Sequence, residues 1–108
     1  MVPEIDLNAF AAAKADGAFV IDVREPFEYV AGHVPGAQLV PLSQVHARLA
    51  ELPKNERIHV ICASGNRSRT ATSWLLSAGF DAVSVAGGTG GWMSQGRPVV
   101  RGSHADAP

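Results

Sequence analysis

The stretch Arg57-Ile-His-Val-Ile-Cys-Ala-Ser-Gly-Asn-Arg-Ser68 decides the fold of this chain. Its first five residues form a largely apolar run, which is typical of a strand buried on both faces of a sheet. The remaining seven form a tight polar loop that leads into a helix. The apolar positions of that helix follow a spacing of three and four residues: Ala71, Trp74, Leu75 and Ala78. Gly79 lies where a helix ends, so the order strand, loop, helix predicts one unit of a parallel α/β sheet.

The rest of the chain repeats this alternation. Further strands are predicted at 18–22, 38–40 and 82–85. Further helices are predicted at 6–16, at 26–30 and from Ser43 to about Ala50 or Leu52, with a brief amphipathic turn around Trp92. The strands are apolar throughout rather than alternating, so we expect one α/β domain whose mostly parallel central sheet carries helices on both faces. The domain is expected over residues 1–100. Residues 101–108 are small and polar and predict a flexible tail.

Composition narrows the class of protein. A chain of 108 residues has enough apolar material for one core without disulfides. The net charge of −1, with basic residues scattered apart from Arg67 and Arg69, gives no support for a nucleic-acid or membrane partner. The N-terminal sequence is acidic where a signal peptide is basic, and no apolar run approaches a membrane span. We therefore expect a soluble, cytoplasmic protein.

Neither a metal nor another cofactor is expected. A single cysteine cannot form an internal disulfide and is no framework for a metal site. The histidines are dispersed and show no ligand spacing: His33, His46, His59 and His104. A metal site assembled from distant residues is the less favoured alternative.

The loop from Cys62 to Ser68 has the composition of an anion-binding nest. In open parallel sheets, ligands bind beyond the carboxyl ends of the strands, and a helix N-terminus there offers free N–H groups and partial positive charge. Gly65 permits a positive φ and Asn66 tolerates one, so successive amides can turn inward, with Arg67 adding a full charge at the rim. We expect a lowered pKa for the Cys62 thiol, which makes it nucleophilic without a neighbouring base.

The alternative is that Cys62 is a small buried hydrophobic residue. That interpretation explains the cysteine but leaves the consecutive polar residues from Ser64 to Ser68 unexplained. The functional interpretation is therefore favoured.

Four stretches, in order, resemble the signatures of rhodanese-like domains. The loop CASGNRS at 62–68 resembles the form CRxGxR. The segments Asp22-Val-Arg24-Glu25, Glu28-Tyr29 and Gly32-His-Val-Pro-Gly-Ala37 resemble DVRExxEYxxGHIPGA. Gly87-Gly88, Trp92 and Pro98 resemble the closing GG…W…G.P pattern. The resemblance runs from about Ile5 to Val100.

That resemblance implies a parallel sheet flanked by helices and a ping-pong sulfur transfer. Cys62 would attack the outer sulfur of thiosulfate, sulfite would leave, and cyanide, a thiol or a protein acceptor would remove the sulfur from the persulfide. The substrate-binding residues would be those that present amides to the persulfide and the departing anion: Ala63, Ser64, Gly65, Asn66, Arg67 and Ser68.

The other signature residues have structural explanations. Asp22 and Arg24, at the end of a strand, are expected to support the site by forming an ion pair or bracing a neighbouring loop. His33 is expected to be a structural hydrogen-bonding residue. The run Gly87–Gly91 fits neither nucleotide-binding spacing and predicts a tight turn. Ala63 departs from the family, where many relatives carry a basic or bulkier residue, and this should weaken capture of dianionic thiosulfate unless Arg67 and Arg69 compensate.

Two rival functions stay open. A rhodanese-fold phosphatase or arsenate reductase also uses a cysteine in an anion nest, but it needs five residues between cysteine and arginine. Four separate Cys62 from Arg67, so this rival ranks well below a sulfurtransferase. The second rival is a binding module or persulfide relay, which holds the sulfur for a specific partner protein and turns over poorly alone.

Overall fold

The computed structural model describes residues 2–106, and within them the elements confirm the predicted α/β class. They follow in the order β1 (Glu4–Ile5), α1 (Leu7–Ala15), β2 (Phe19–Asp22), α2 (Pro26–Ala31), β3 (Gln38–Leu39), two 3₁₀ turns (Leu42–Gln44 and His46–Glu51), β4 (Ile58–Ile61), α3 (Asn66–Ser77), β5 (Ala82–Val85) and α4 (Gly88–Ser94). α1 begins as expected, because the Asp6 side chain accepts a hydrogen bond of 2.8 Å from the Ala9 amide.

The strands form one five-stranded sheet in the order β1-β5-β4-β2-β3, and every pair of neighbours is parallel. β4 lies at the centre, where Val60 is aligned with Ile21 of β2 on one side and Ser84 of β5 on the other. The edge strand β1 was not predicted, because two residues are too few to show an apolar pattern. Since β4 is central, the loop that follows it lies in the middle of the carboxyl edge.

Helices cover both faces of the sheet, as predicted. On one face Phe10 of α1 and Trp92 of α4 pack in an apolar cluster with Ile61. On the other face Leu75 of α3 packs with Val60 and with Cys62. The cysteine thus lies on the α3 side of the sheet.

The predicted helix from Ser43 to about Leu52 is wrong, since the segment forms two 3₁₀ turns instead. Bonds of the i to i+3 type wind this segment, such as that from the Val45 amide to the Leu42 carbonyl at 3.3 Å and that from Leu52 to Leu49 at 3.1 Å. Three residues per turn bring each of these pairs to one side, against the core.

Residues 101–106 have no helix or strand, but they contact the body of the domain. The Gly102 amide donates to the Val30 carbonyl at 2.9 Å, and the Gly36 amide donates to the Ala105 carbonyl at 2.8 Å. The flexibility of the tail stays a prediction, and its last two residues, 107 and 108, lie outside the described part of the chain.

Candidate active site

Cys62 follows directly on β4 and is 1% exposed. The chain turns at Gly65, whose φ of 119° is a conformation that favours glycine, and α3 begins at the next residue. The prediction for Gly65 therefore holds. The positive φ considered for Asn66 was wrong, because Asn66 is the first residue of α3. Arg67 and Ser68 consequently belong to the first turn of that helix.

The sulfur of Cys62 lies among hydrogen-bonding groups of its own loop. The Gly65 amide donates to Cys62 Sγ at 3.1 Å, and Ser68 Oγ is 3.4 Å from the same sulfur. Burial alone would raise the pKa of the thiol. Hydrogen bonds from the Ser68 hydroxyl and from the amides of Ser68, Gly65 and Ser64 outweigh burial, so the net pKa of Cys62 is lowered. The direction agrees with the sequence-based expectation, and its cause is this set of hydrogen bonds.

The glycine cluster after β5 holds the loop in this orientation. It was predicted as a tight turn; Gly87 does turn, with a φ of 83°, but a short helix, α4, follows it. The Thr89 amide donates to the Cys62 carbonyl at 2.8 Å, and the Gly90 amide donates to the Ala63 carbonyl at 2.9 Å. Because carbonyl and N–H point in opposite directions across a peptide, the bond to the Ala63 carbonyl turns the Ser64 amide toward the sulfur.

This contact needs glycine at position 88. A Cβ there would lie 2.5 Å from the Cys62 carbonyl oxygen and 2.6 Å from that of Ala63. The sequence showed the glycine cluster but not the surface on which it packs. Gly88 and Thr89 were therefore not predicted as residues that support the site.

Arg67 is directed to Glu28 of α2. Its two terminal nitrogens donate to the two carboxylate oxygens of Glu28, at 2.6 and 2.9 Å. This bidentate bond, with burial opposing it, lowers the pKa of Glu28 to about 2. Arg67 lies near the cysteine, as predicted, but its charge is compensated by Glu28, a residue that was given no role from the sequence.

The remaining loop residues differ in exposure. Ser64 and Asn66 are exposed, and Ala63 is half-buried. The second basic residue, Arg69, lies 4.0 Å from a carboxylate oxygen of Glu4, and both side chains are partly exposed. Arg67 and Arg69 therefore each have an acidic neighbour.

Asp22 and Arg24 form a buried ion pair at the end of β2. Arg24 Nη2 donates to Asp22 Oδ2 at 2.8 Å and to the Gly32 carbonyl at 2.8 Å. The pair joins the end of β2 to the end of α2, the helix that carries Glu28. The ion pair considered from the sequence is therefore present, and through Gly32 it braces the end of α2.

His33 is fully buried and stacks on the ring of Tyr29, with 3.6 Å between ring centroids. Its Nδ1 lies 2.8 Å from the Tyr29 carbonyl, and its Nε2 lies 2.8 Å from the His104 carbonyl. These contacts are structural and agree with the expectation that His33 is not a base.

Residues 2–106 contain no group of three or more His, Cys, Asp or Glu side chains arranged to hold a metal ion. No helix in that range is both long enough and apolar enough to cross a membrane.

A parallel sheet with a cysteine at its central carboxyl edge, held in an amide-lined loop before a helix, defines a class of α/β domains. The family model described as "Rhodanese-like domain" matches residues 6–95. The chain belongs to the rhodanese-like domain family.

Two relatives support this assignment, one matched over nearly its whole length and the other over about half of its length. A protein of Allochromatium vinosum named sulfurtransferase is 33% identical over 103 residues, which is 93% of this chain and 96% of that protein. A Bacillus subtilis protein, provisionally named as a sulfur carrier, is 38% identical over 97 residues, 87% of this chain and 52% of that protein. The chain thus spans about half the length of the second relative.

Solved structures share the fold. A rhodanese-related protein from Thermoplasma volcanium has a TM-score of 0.85 at 34% identity, covering 91% of this chain and 97% of that one. A Pseudomonas aeruginosa structure described as thiosulfate sulfurtransferase has a TM-score of 0.84 at 30% identity, over 94% of this chain and 20% of that chain. The names of the Allochromatium vinosum protein and the Pseudomonas aeruginosa structure both contain the word sulfurtransferase.

Proposed function

We propose that this domain transfers sulfane sulfur through a persulfide on Cys62. The observation that carries the proposal is the position of Cys62 Sγ, which accepts a hydrogen bond from the Gly65 amide and lies beside the Ser68 hydroxyl. This environment stabilises a thiolate, and the thiolate is the nucleophilic form of cysteine. Since Cys62 is the only cysteine of the chain, no second thiol of the domain takes part.

The reaction has two half-steps. In the first, the Cys62 thiolate attacks the outer sulfur of a donor such as thiosulfate, an S–S bond forms, and the donor's S–S bond breaks as sulfite leaves with the electron pair. In the second, cyanide or a thiolate attacks the outer sulfur of the persulfide, and the Cys62 thiolate departs with the electron pair. The amides of Ser64, Gly65 and Ser68 stabilise the sulfur anion at the start and the end of this cycle.

Two observations disfavour a phosphatase. Four residues separate Cys62 from Arg67, so the loop has one amide fewer than the number a tetrahedral oxyanion would need by the family comparison. The Arg67 guanidinium also binds Glu28, so its charge is compensated rather than directed at a bound dianion. The site suits a sulfur atom better.

A persulfide relay to a partner protein is the second candidate. Ala63 carries no charge, and Arg67 and Arg69 each lie beside a carboxylate. The surface around the Cys62 loop therefore has little excess positive charge to attract thiosulfate. Transfer of a persulfide from a bound partner protein does not depend on such attraction. The relative with a sulfur-carrier name agrees with this candidate.

Intact-mass measurement tests the proposal. After brief incubation with thiosulfate, 3-mercaptopyruvate or a protein persulfide, the wild type should gain the mass of one sulfur atom, and Cys62→Ser should gain none. Ser73→Ala, at an exposed position of α3, serves as the control and should behave as the wild type. Loading by a protein persulfide but not by thiosulfate would favour the relay. No sulfur adduct from any donor would refute the proposal.

A further inference from the structure

A second serine lies behind the cysteine. Ser84 of β5 places its Oγ 2.8 Å from Ser68 Oγ, and Ser68 Oγ is 3.4 Å from Cys62 Sγ. Both serines are fully buried. The three side chains thus form a line from the core of the sheet to the sulfur, because β5 is paired with β4, at whose end Cys62 lies.

A hydroxyl in the middle of a buried strand is unfavourable unless it is hydrogen bonded. The neighbours of Ser84 in β5 are the apolar residues Val83 and Val85, which are also buried. Within residues 2–106, Ser68 is the hydrogen-bond partner of the Ser84 hydroxyl. The position of Ser84 is therefore explained by Ser68.

The Ser68 hydroxyl has one proton and three neighbours. Besides Cys62 Sγ and Ser84 Oγ, it lies 3.1 Å from the Gly65 carbonyl oxygen, which only accepts. While Cys62 is a thiol, its S–H donates to Ser68 Oγ, and the Ser68 proton is free to bond the Gly65 carbonyl. A thiolate has no proton to donate, so it requires the Ser68 proton to turn toward the sulfur.

Turning the Ser68 proton leaves two groups to be satisfied. The Gly65 carbonyl keeps a hydrogen bond from the Arg69 amide at 3.3 Å. The Ser68 oxygen then has free lone pairs, and the Ser84 hydroxyl is placed to donate to them. A hydroxyl that accepts a hydrogen bond is also a stronger donor, because the bonds of a chain polarise one another.

We infer that Ser84 is a positioning residue for the nucleophile: it donates to Ser68 Oγ and thereby holds the Ser68 proton toward the Cys62 sulfur whenever that sulfur is charged. The inference rests on the proposed role of Cys62. It assigns Ser84 an effect on both half-steps, since the thiolate is the attacking group in the first and the leaving group in the second.

Charged groups near the cysteine belong to pairs that do not involve either serine. Arg67 is bonded to Glu28, and Asp22 is bonded to Arg24. Removing the Ser84 hydroxyl leaves these pairs in place. A change in the pKa of Cys62 on removal of the Ser84 hydroxyl would therefore result from the hydrogen bonds between Ser84, Ser68 and Cys62.

The chain offers a direct measurement of the thiolate. Cys62 is the only cysteine, and burial raises the pKa of the only tyrosine, Tyr29, to about 12. The ultraviolet absorbance of the thiolate can thus be titrated without interference from a second thiol or from tyrosinate. In Ser84→Ala the apparent pKa of Cys62 should rise by about half a unit to one unit, a three- to tenfold smaller thiolate fraction at pH below both pKa values.

The rate of persulfide formation should fall by the same factor at low pH and recover once the pH exceeds the pKa of the variant. A merely structural defect would lower the rate at every pH. In a Ser68→Ala background, Ser84→Ala should add no further shift. An unchanged titration in Ser84→Ala, or an equal added shift in the Ser68→Ala background, would overturn the inference.

Two further variants guard against altered packing. Ser84→Thr and Ser84→Val have side chains of the same shape, and only threonine keeps the hydroxyl. The pKa of Cys62 should therefore be lower in Ser84→Thr than in Ser84→Val. Equal pKa values of Cys62 in the two variants would also overturn the inference. If the wild type forms no persulfide, the proposed function fails, while the titrations still decide the role of Ser84.

Discussion

The Glu28 carboxylate and the Arg67 guanidinium face each other as two planar groups, with hydrogen bonds of 2.6 and 2.9 Å, although 39 positions separate them in the sequence. The contact joins α2 to the first turn of α3, next to the Cys62 loop. It determines how much of the Arg67 charge an incoming anion meets, so the two residues are best tested together.

Removing Arg67 and neutralising Glu28 should change thiosulfate turnover in opposite directions. Arg67→Ala should lower kcat/KM by about tenfold, because it leaves the Glu28 carboxylate uncompensated next to the Cys62 loop, where it repels an anionic donor. Arg67→Lys should recover part of the loss, since it keeps the charge but not the bidentate geometry. Glu28→Gln should raise kcat/KM by several-fold, because the arginine charge is no longer compensated. Steady-state assays at low and high salt measure both effects.

The matched control for these variants is Arg57→Ala. Arg57 pairs with Asp81 in an exposed contact at the other end of the strands, before β4 rather than after it. Its removal should leave kcat/KM unchanged. If Arg67→Ala and Glu28→Gln also match the wild type in rate and salt dependence, the pair has no part in substrate capture.

The same pair predicts a pH dependence of stability. The pKa of Glu28 is lowered from 4.5 to about 2 in the folded chain, chiefly by its hydrogen bonds to Arg67. The ionised Glu28 carboxylate therefore stabilises the folded state fully above pH 4.5, and this stabilisation is lost as the pH falls toward 2. Because the Arg67 side chain is 35% exposed, solvent screening reduces this contribution to the free energy of unfolding to about 1 kcal/mol. Urea unfolding of the wild type and Glu28→Gln should show a difference that shrinks over this range; a constant difference would contradict the assignment.

A basic residue introduced at position 63 tests whether thiosulfate capture is limited by the positive charge around the Cys62 loop. Ala63→Arg should raise kcat/KM for thiosulfate several-fold at low salt, because a half-buried position beside Cys62 would gain an uncompensated positive charge. Ala63→Gln gives a long polar side chain without the charge and should not reproduce the gain. Equal rates for both variants would mean that the charge at this position does not limit thiosulfate capture.

Gly88→Ala should displace the cysteine loop. Gly88 has a φ of 57° and packs against the carbonyls of Cys62 and Ala63, whereas Gly96 has a φ of 71° and open space around it. Gly96→Ala should therefore cost only the conformational strain, about 1 kcal/mol of unfolding free energy, and keep activity. Gly88→Ala adds a clash with backbone and should lose about 3 kcal/mol or more, together with persulfide formation. Equal losses would show that the contact is unimportant.

Much of the fold could be predicted because its signals are local. The apolar runs at β2, β4 and β5 and the helical spacing after Ser68 are properties of neighbouring residues, and they predicted a parallel sheet with helices on both faces. The helix predicted after Ser43 was wrong because local signals do not distinguish the two kinds of helix: residues spaced by three and four fit an α-helix and a pair of 3₁₀ turns alike.

By itself, the sequence determined that a cysteine follows a buried strand and that a glycine-containing loop leads from it into a helix. Those features depend on residues next to one another, whose conformations are restricted by local sterics and hydrogen bonding. Only the tertiary structure decided which groups surround that cysteine. Glu28 reaches Arg67, Ser84 reaches Ser68, and the first amides of α4 reach the carbonyls of the loop because the parallel sheet brings the ends of distant strands and helices to one edge. Each of these contacts joins residues far apart in the chain, and no local pattern selects one partner over another.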